Sequence, residues 1–228
     1  MNPTGYREAA APGLACAWRA ALPAGAAGPF VQAVVPDGCV DVVWWERSGL
    51  VEVAGPDTGP APATLRPGDR LAGVRFRPGT AARVLGVPLD ALRDARTPLA
   101  DLWGARGDRL AEALAGAADP ATTLAEAMRP GSPDPLLAPL LRELRSGSVR
   151  RAAEELGFGE RQLRRRTLAA FGYGPKTLQR VMRFQSALRL ARAGTPFADV
   201  AHATGYADQA HLAHEVRALG GVPLGDLL

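Results

Sequence analysis

The sequence predicts an α+β N-terminal domain followed by an all-α C-terminal domain with two helix–turn–helix units joined by a long helix. Three observations carry this. Short β-branched and aromatic runs alternate with turn residues in the first half. Helical patterning takes over after a proline-rich stretch, and the helical part repeats itself.

Along the first half, Phe30 to Val35 (FVQAVV) is an apolar run, PDG at 36–38 signals a turn, and CVDVVWW at 39–45 is β-branched and aromatic. LVEVAG at 50–55 alternates as a half-buried strand does, and RPGD at 66–69 turns into the strand candidate RLAGVRF at 70–76. PGTAARVLGV and ADLWGARGDRLAEALAGA then read as helices. The domain is expected to span residues 1–130, with MRPGSPDP at 128–135 supplying the linker and 131–135 its core.

From residue 136 to 228 the texture is helical. LLAPLLRELRSG is a short amphipathic helix with a glycine stop, and SVRRAAEELG follows with Ser148 placed to cap it. GERQLRRRTLAAFG is the second member of a helix–turn–helix, set off by a tight turn at Gly157–Phe158–Gly159. A long helix runs from Pro175 to Gly194, with proline tolerated in its first turn and glycine ending it. The remaining segment repeats the earlier one 48 to 49 residues on: Ala153, Gly157 and Phe158 correspond to Ala201, Gly205 and Tyr206, and Leu163 and Gly172 to Leu212 and Gly221.

Composition narrows the function. At 47% hydrophobic residues the chain of 228 is globular, and no apolar run is long enough for a membrane span. Its first residues lack a basic end leading into an apolar core, so a cytoplasmic protein is expected. Cys16 and Cys39 are too few for a disulfide scaffold. Net charge is +4, and its distribution is uneven: from Arg142 onward there are 14 basic and 8 acidic residues, before it 13 and 15. A basic excess confined to one end is the footprint of a nucleic-acid-binding module.

At 100° per residue, Leu163, Thr167 and Ala170 form one stripe of the GERQLRRRTLAAFG helix, with Arg161, Arg164, Arg165 and Leu168 opposite and Arg166 on a flank. In the second copy Leu212, Val216 and Leu219 form the stripe, while Ala210, His211, His214 and Arg217 lie outward and Gln209 starts the helix. Early residues of a second helix reach base edges in the major groove, and flanking basic residues hold phosphates.

The paired motifs GFGERQLRRRTLAAFGYGPKTL and GYADQAHLAHEVRALGGVPL resemble those of the AraC/XylS family of bacterial transcription regulators, over residues 136 to 228. The resemblance implies two recognition helices in successive major-groove segments of double-stranded DNA. Carried over position by position, the base-reading candidates are Arg161, Arg164, Arg165, Gln209, His211 and His214. The phosphate-holding candidates are Arg150, Arg166, Lys176 and Arg217. Four positions depart from the family pattern: Thr167 and Val216 stand where an aromatic is usual, Gly159 where a hydroxyl residue often caps the helix, and His214 where arginine is common. The stretches VVPDGCVDVVWW, VAGPDTGP and GVRFRPGTAARVLGVPLDAL are similar to a domain that precedes this module, mainly in actinobacterial-type regulators.

Other constellations carry less. PDGCVD brings Asp37, Cys39 and Asp41 together, but a β-turn entering a strand explains them. Of the neighbours Trp44 and Trp45, only one can face the core. His211 and His214 share a helix face with no third ligand evident, and two cysteines exclude the four-cysteine zinc of alkyl-transfer repair domains fused to some family members. No G-x-S-x-G, phosphate loop or dinucleotide fingerprint occurs. The expectation is a regulator without catalysis, cofactor or metal. Its N-terminal domain senses an effector or binds a partner, with dimerisation or an unrecognised enzyme domain as the alternatives. RNA polymerase, a small-molecule effector of unknown binding site and a second copy of the chain remain open as partners.

Overall fold

The computed structural model describes residues 4–132, 134–146 and 148–228; Pro133, inside the expected linker 131–135, lies outside the described residues. The N-terminal strands are β1 (Arg7–Ala9), β2 (Cys16–Ala21), β3 (Phe30–Gln32), β4 (Asp41–Trp45), β5 (Val51–Ala54), β6 (Ala63–Leu65), β7 (Arg70–Arg75) and β8 (Arg96–Pro98). A six-stranded antiparallel sheet runs β1-β2-β7-β4-β5-β8, and β3 pairs with β6 in a small second sheet.

Alternation sorts the sheet's side chains. Ala17, Val42, Trp44, Val53, Ala72 and Val74 point to one face, where Leu85, Leu99, Leu114 and Leu124 close a buried core. Those leucines come from α1 (Ala81–Leu85), α2 (Leu99–Trp103), α3 (Ala105–Ala115) and α4 (Pro120–Ala127). The opposite face carries Cys16, Trp18, Val43 and Leu71 in a smaller cluster with Leu65 of β6. Trp44 is the core tryptophan, and half-buried Trp45 donates from Nε1 to Glu52 Oε1 at 2.7 Å. Four elements escape the sequence pattern. CAWRAA, in β2, is alanine-rich and a poor strand former alone, and it is paired along its length with β7. β1, β6 and β8 are three residues each, too short to show a period.

The C-terminal helices are α5 (Leu137–Ser146), α6 (Val149–Glu155), α7 (Glu160–Phe171), α8 (Pro175–Arg192), α9 (Phe197–Ala203) and α10 (Gln209–Gly220). They enclose one core, in which Leu163, Phe171, Leu178, Phe184, Leu212 and Val216 are fully or almost fully buried. The 18 residues of α8 span about 27 Å. α5 and α7 pack on α8 as do α9 and α10, so each unit is tied to the same rod.

The two parts of the chain touch. Tyr173 Oη donates to the Asp57 carbonyl at 2.6 Å, Gln185 Nε2 to the Pro36 carbonyl at 2.7 Å, and Arg93 Nη1 to the Gly172 carbonyl at 3.4 Å.

Candidate nucleic-acid interface

Both units are built on the same backbone. Phe158 N–H donates to the Ala153 carbonyl at 2.8 Å, and Tyr206 N–H to the Ala201 carbonyl at 2.9 Å. Gly157 and Gly205 before them have φ of 65° and 75°, a left-handed conformation that a side chain would strain. α7 and α10 each run 12 residues, and each ends on a left-handed glycine, Gly172 or Gly221, whose N–H returns to Leu168 or Arg217. The turn aromatics are each covered by a guanidinium: Arg166 lies 4.7 Å from the Phe158 ring centre, Arg183 5.4 Å from that of Tyr206.

Arg161, Arg164 and Arg165 are solvent-exposed on α7, opposite the buried Leu163, Thr167 and Phe171. Leu168, expected on the same open face, is instead half-buried. The cause is tertiary: the 3-10 turn Leu89–Leu92 of the N-terminal domain packs against α7, and a hollow between them is lined by Pro88, Asp90, the three arginines and Leu168. The family's departures at Thr167 and Val216 leave wholly buried side chains. Thr167 Oγ1 donates back to the Leu163 and Arg164 carbonyls, so its hydroxyl is satisfied without a distant partner. Gly159 supplies no side-chain cap to α7.

On α10, Gln209, His211 and His214 are all exposed. His211 has a second commitment: its Nδ1 accepts the Ala207 N–H at 3.3 Å and its ring meets Tyr206 edge-on, centroids 5.3 Å apart. Asp208, which the sequence reading missed, caps α10 by accepting the His211 N–H at 2.7 Å; an aspartate directly before the helix was the available signal. Arg180 of α8 grips Glu215 through two bonds of 2.9 and 3.1 Å, and that hydrogen bonding holds the Glu215 carboxyl below its usual range.

Of the phosphate candidates, Arg150, Arg166, Lys176 and Arg217 are exposed, with Arg150 3.8 Å from Glu154 one helical turn on. A second basic group was not legible in the sequence. Arg145 of α5, Arg183 and Arg189 of α8 and His202 of α9 line one hollow that contains no carboxylate among its described lining residues. Only the packing of α5 and α9 on α8 assembles them, because 57 residues separate Arg145 from His202.

Burial pushes the Cys16 thiol up to about 11 and raises that of Cys39 as well, so both stay protonated and poorly nucleophilic near neutrality. No cluster of three or more metal-ligating side chains occurs among the described residues, and no described helix is long and apolar enough to cross a membrane.

A comparison with curated protein sequences gives no match. Among solved structures the chain is similar to ToxT from Vibrio cholerae O395, at 11% identity and a TM-score of 0.45, covering 87% of this chain and 92% of that one. It is also similar to unsaturated fatty acid-bound wild-type ToxT from V. cholerae strain SCE256 (10% identity, TM-score 0.43, 88% and 95% covered). A third is ToxT from strain O395 bound to (E)-4-(8-methylnaphthalen-1-yl)but-3-enoic acid, with 10% identity, a TM-score of 0.43 and 88% and 98% covered. Residues 8–98 match the model of a domain of unknown function, DUF6597, and residues 152–228 that of a helix-turn-helix domain of AraC type. The C-terminal part of the chain is thus an AraC-type helix-turn-helix domain, the module of a DNA-binding transcription regulator.

Proposed function

We propose that the chain binds specific DNA sequences through α7 and α10, reading successive major-groove segments, and that its N-terminal domain modulates this by contact with α7. The observation that carries the reading is the repeated backbone itself: two 12-residue helices, each entered through a glycine–aromatic turn and both packed on one rod. Arg161, Arg164 and Arg165 are the base readers of α7, since guanidinium pairs bidentately with guanine. Gln209 and His214 serve on α10, with His211 divided between the groove and its own turn. Arg150, Arg166, Lys176 and Arg217 hold phosphates, joined by Arg183 and Arg189 from the basic hollow.

Modulation rests on the hollow between α7 and the Leu89–Leu92 turn. Asp90 faces the same space as the three reading arginines, and Pro88 narrows the approach to them. A duplex seated on α7 competes with these groups, so any signal that shifts the turn changes DNA affinity.

Selection of bound sequences from a random DNA pool by the full chain tests the reading. The expected outcome is a bipartite site, two short conserved segments about one helical turn apart. Affinity should fall steeply with salt. A pool that emerges with no sequence preference overturns specific reading.

A further inference from the structure

The N-terminal sheet has a second face, and strand register builds a cavity floor on it. Glu8 stands opposite Trp18, and Trp18 opposite Gly73. One row on, Cys16 stands opposite Arg75, and Arg75 opposite Asp41. A side chain at residue 73 would come within 2.3 Å of the Trp18 ring, so the glycine is what lets the indole lie flat on β7. Tyr6 joins Trp18 with ring centres 5.7 Å apart. Leu65, Val34 and Val35 form an apolar wall, and the roof is α8, through Gln185, Leu188 and Arg192. The space amounts to about 430 Å³, within the range of small-molecule sites.

The polar groups on this lining are unevenly matched. Arg75 is held by both Asp41 oxygens at 3.0 and 2.9 Å, and Arg192 donates to the Leu227 carbonyl at 2.9 Å. Glu8 takes the Tyr6 hydroxyl at 2.7 Å, and Asp37 takes the Cys39 N–H at 2.8 Å with Arg75 no nearer than 3.8 Å. Three carboxylates therefore face two guanidiniums that are already engaged, which leaves acceptor capacity and negative charge in excess. Trp18 is only 8% exposed, and its indole N–H has no partner among the described residues.

We propose that this cavity binds a small organic cation with a flat apolar body. The body lies against Tyr6 and Trp18, and its charge is met by Glu8 and the Asp37–Asp41 pair. Because the roof is α8, which carries both reading units, occupancy reaches the DNA-binding part without an intermediary; this consequence rests on the DNA-binding reading above. The Gln185–Pro36 hydrogen bond beside the cavity is the contact an occupant shifts.

The test uses the full chain without DNA and reads tryptophan fluorescence and Tm. The probe is 2-phenylethylammonium, with 2-phenylethanol and phenylacetate as neutral and anionic counterparts. The cation is expected to bind saturably and, at ten times its Kd, to raise Tm by about 3–6 °C. Glu8→Gln, at an exposed position, should weaken it about threefold or more. Ala33→Trp, also exposed, should block it while leaving the unliganded Tm unchanged. No binding of the cation, preference for phenylacetate, or undiminished binding by Ala33→Trp overturns the proposal. Since no DNA is present, such a failure leaves the DNA-binding reading standing. Cation binding in a chain that selects no DNA sequence would support the cavity and sink the regulator.

Discussion

The two helix–turn–helix units share the glycine–aromatic start of their turns, their helix lengths and their closing glycines, yet the second turn is one residue longer and they present different surfaces. α7 carries four exposed arginines and lies against the N-terminal domain. A β-carbon at Gly172, which caps α7, would come within 2.3 Å of Pro56. α10 carries a glutamine and two histidines, is capped by Asp208, and is clamped to α8 by Arg180 and Glu215. The N-terminal loop nears it at its far end, where Pro60 stands beside Gly221. Backbone duplication therefore does not imply duplicated duty. The first unit carries the denser positive charge and lies against the N-terminal domain; the second is internally braced and more weakly charged.

The largest expected effect leaves the two units equal. Leu163 and Leu212 are 0% and 1% exposed at matched positions, so Leu163→Ala and Leu212→Ala should each cost about 2–5 kcal/mol in urea unfolding. A much smaller loss at one site would show that its unit is looser than its twin.

Next come the readers. Arg165→Ala should weaken cognate binding by about 1–3 kcal/mol and relax preference at one or two base pairs, read by titration of single-base operator variants. Arg166→Ala should weaken all sequences alike and flatten the salt dependence. Uniform weakening by Arg165→Ala, or altered base preference from Arg166→Ala, would reverse the face assignment.

Arg183→Ala asks whether the hollow between the units touches the duplex: the log–log salt slope should drop by about 1 with base preference intact. Smaller still, Asp90→Asn should tighten DNA binding about two- to fivefold by removing a charge that faces the reading arginines. A weaker complex would mean that Asp90 supports the reading face rather than competing for it.

The smallest effect tests the brace on the second unit. Glu215→Gln should cost about 0.2–1 kcal/mol of stability at neutral pH. The Glu215 carboxyl is held down by Arg180, so its contribution is complete above the ordinary glutamate range and is lost as pH falls through the depressed value. Unfolding curves of mutant and parent should accordingly converge in acid. A gap that persists there would assign the loss to packing.

Much of this was legible in the chain. The helical part could be read because its longer helices show their period and several ends carry their own signal: Ser148 accepts the Arg151 N–H as a cap, and Gly172 and Gly221 close α7 and α10 in left-handed geometry. The exposed faces of Arg161, Arg164, Arg165 and His214 followed from helical angles alone, since those depend only on residues three and four apart. Strand β2 and the short strands were not legible, because CAWRAA becomes a strand by hydrogen bonding to β1 and β7, which lie elsewhere in sequence.

What the sequence by itself determined is the order of the C-terminal helices, the repeated helix–turn–helix and the charge that sets the C-terminal part apart, all of them local or periodic properties. Only the tertiary structure decided that Leu168 and Asp90 meet beside Arg161, Arg164 and Arg165, that Arg145 and His202 share a hollow, and that Glu8, Trp18 and Arg75 floor a cavity roofed by α8. These are contacts between residues tens of positions apart. Their geometry is fixed by strand register and helix packing, which burial of the whole core selects and no short stretch of sequence encodes.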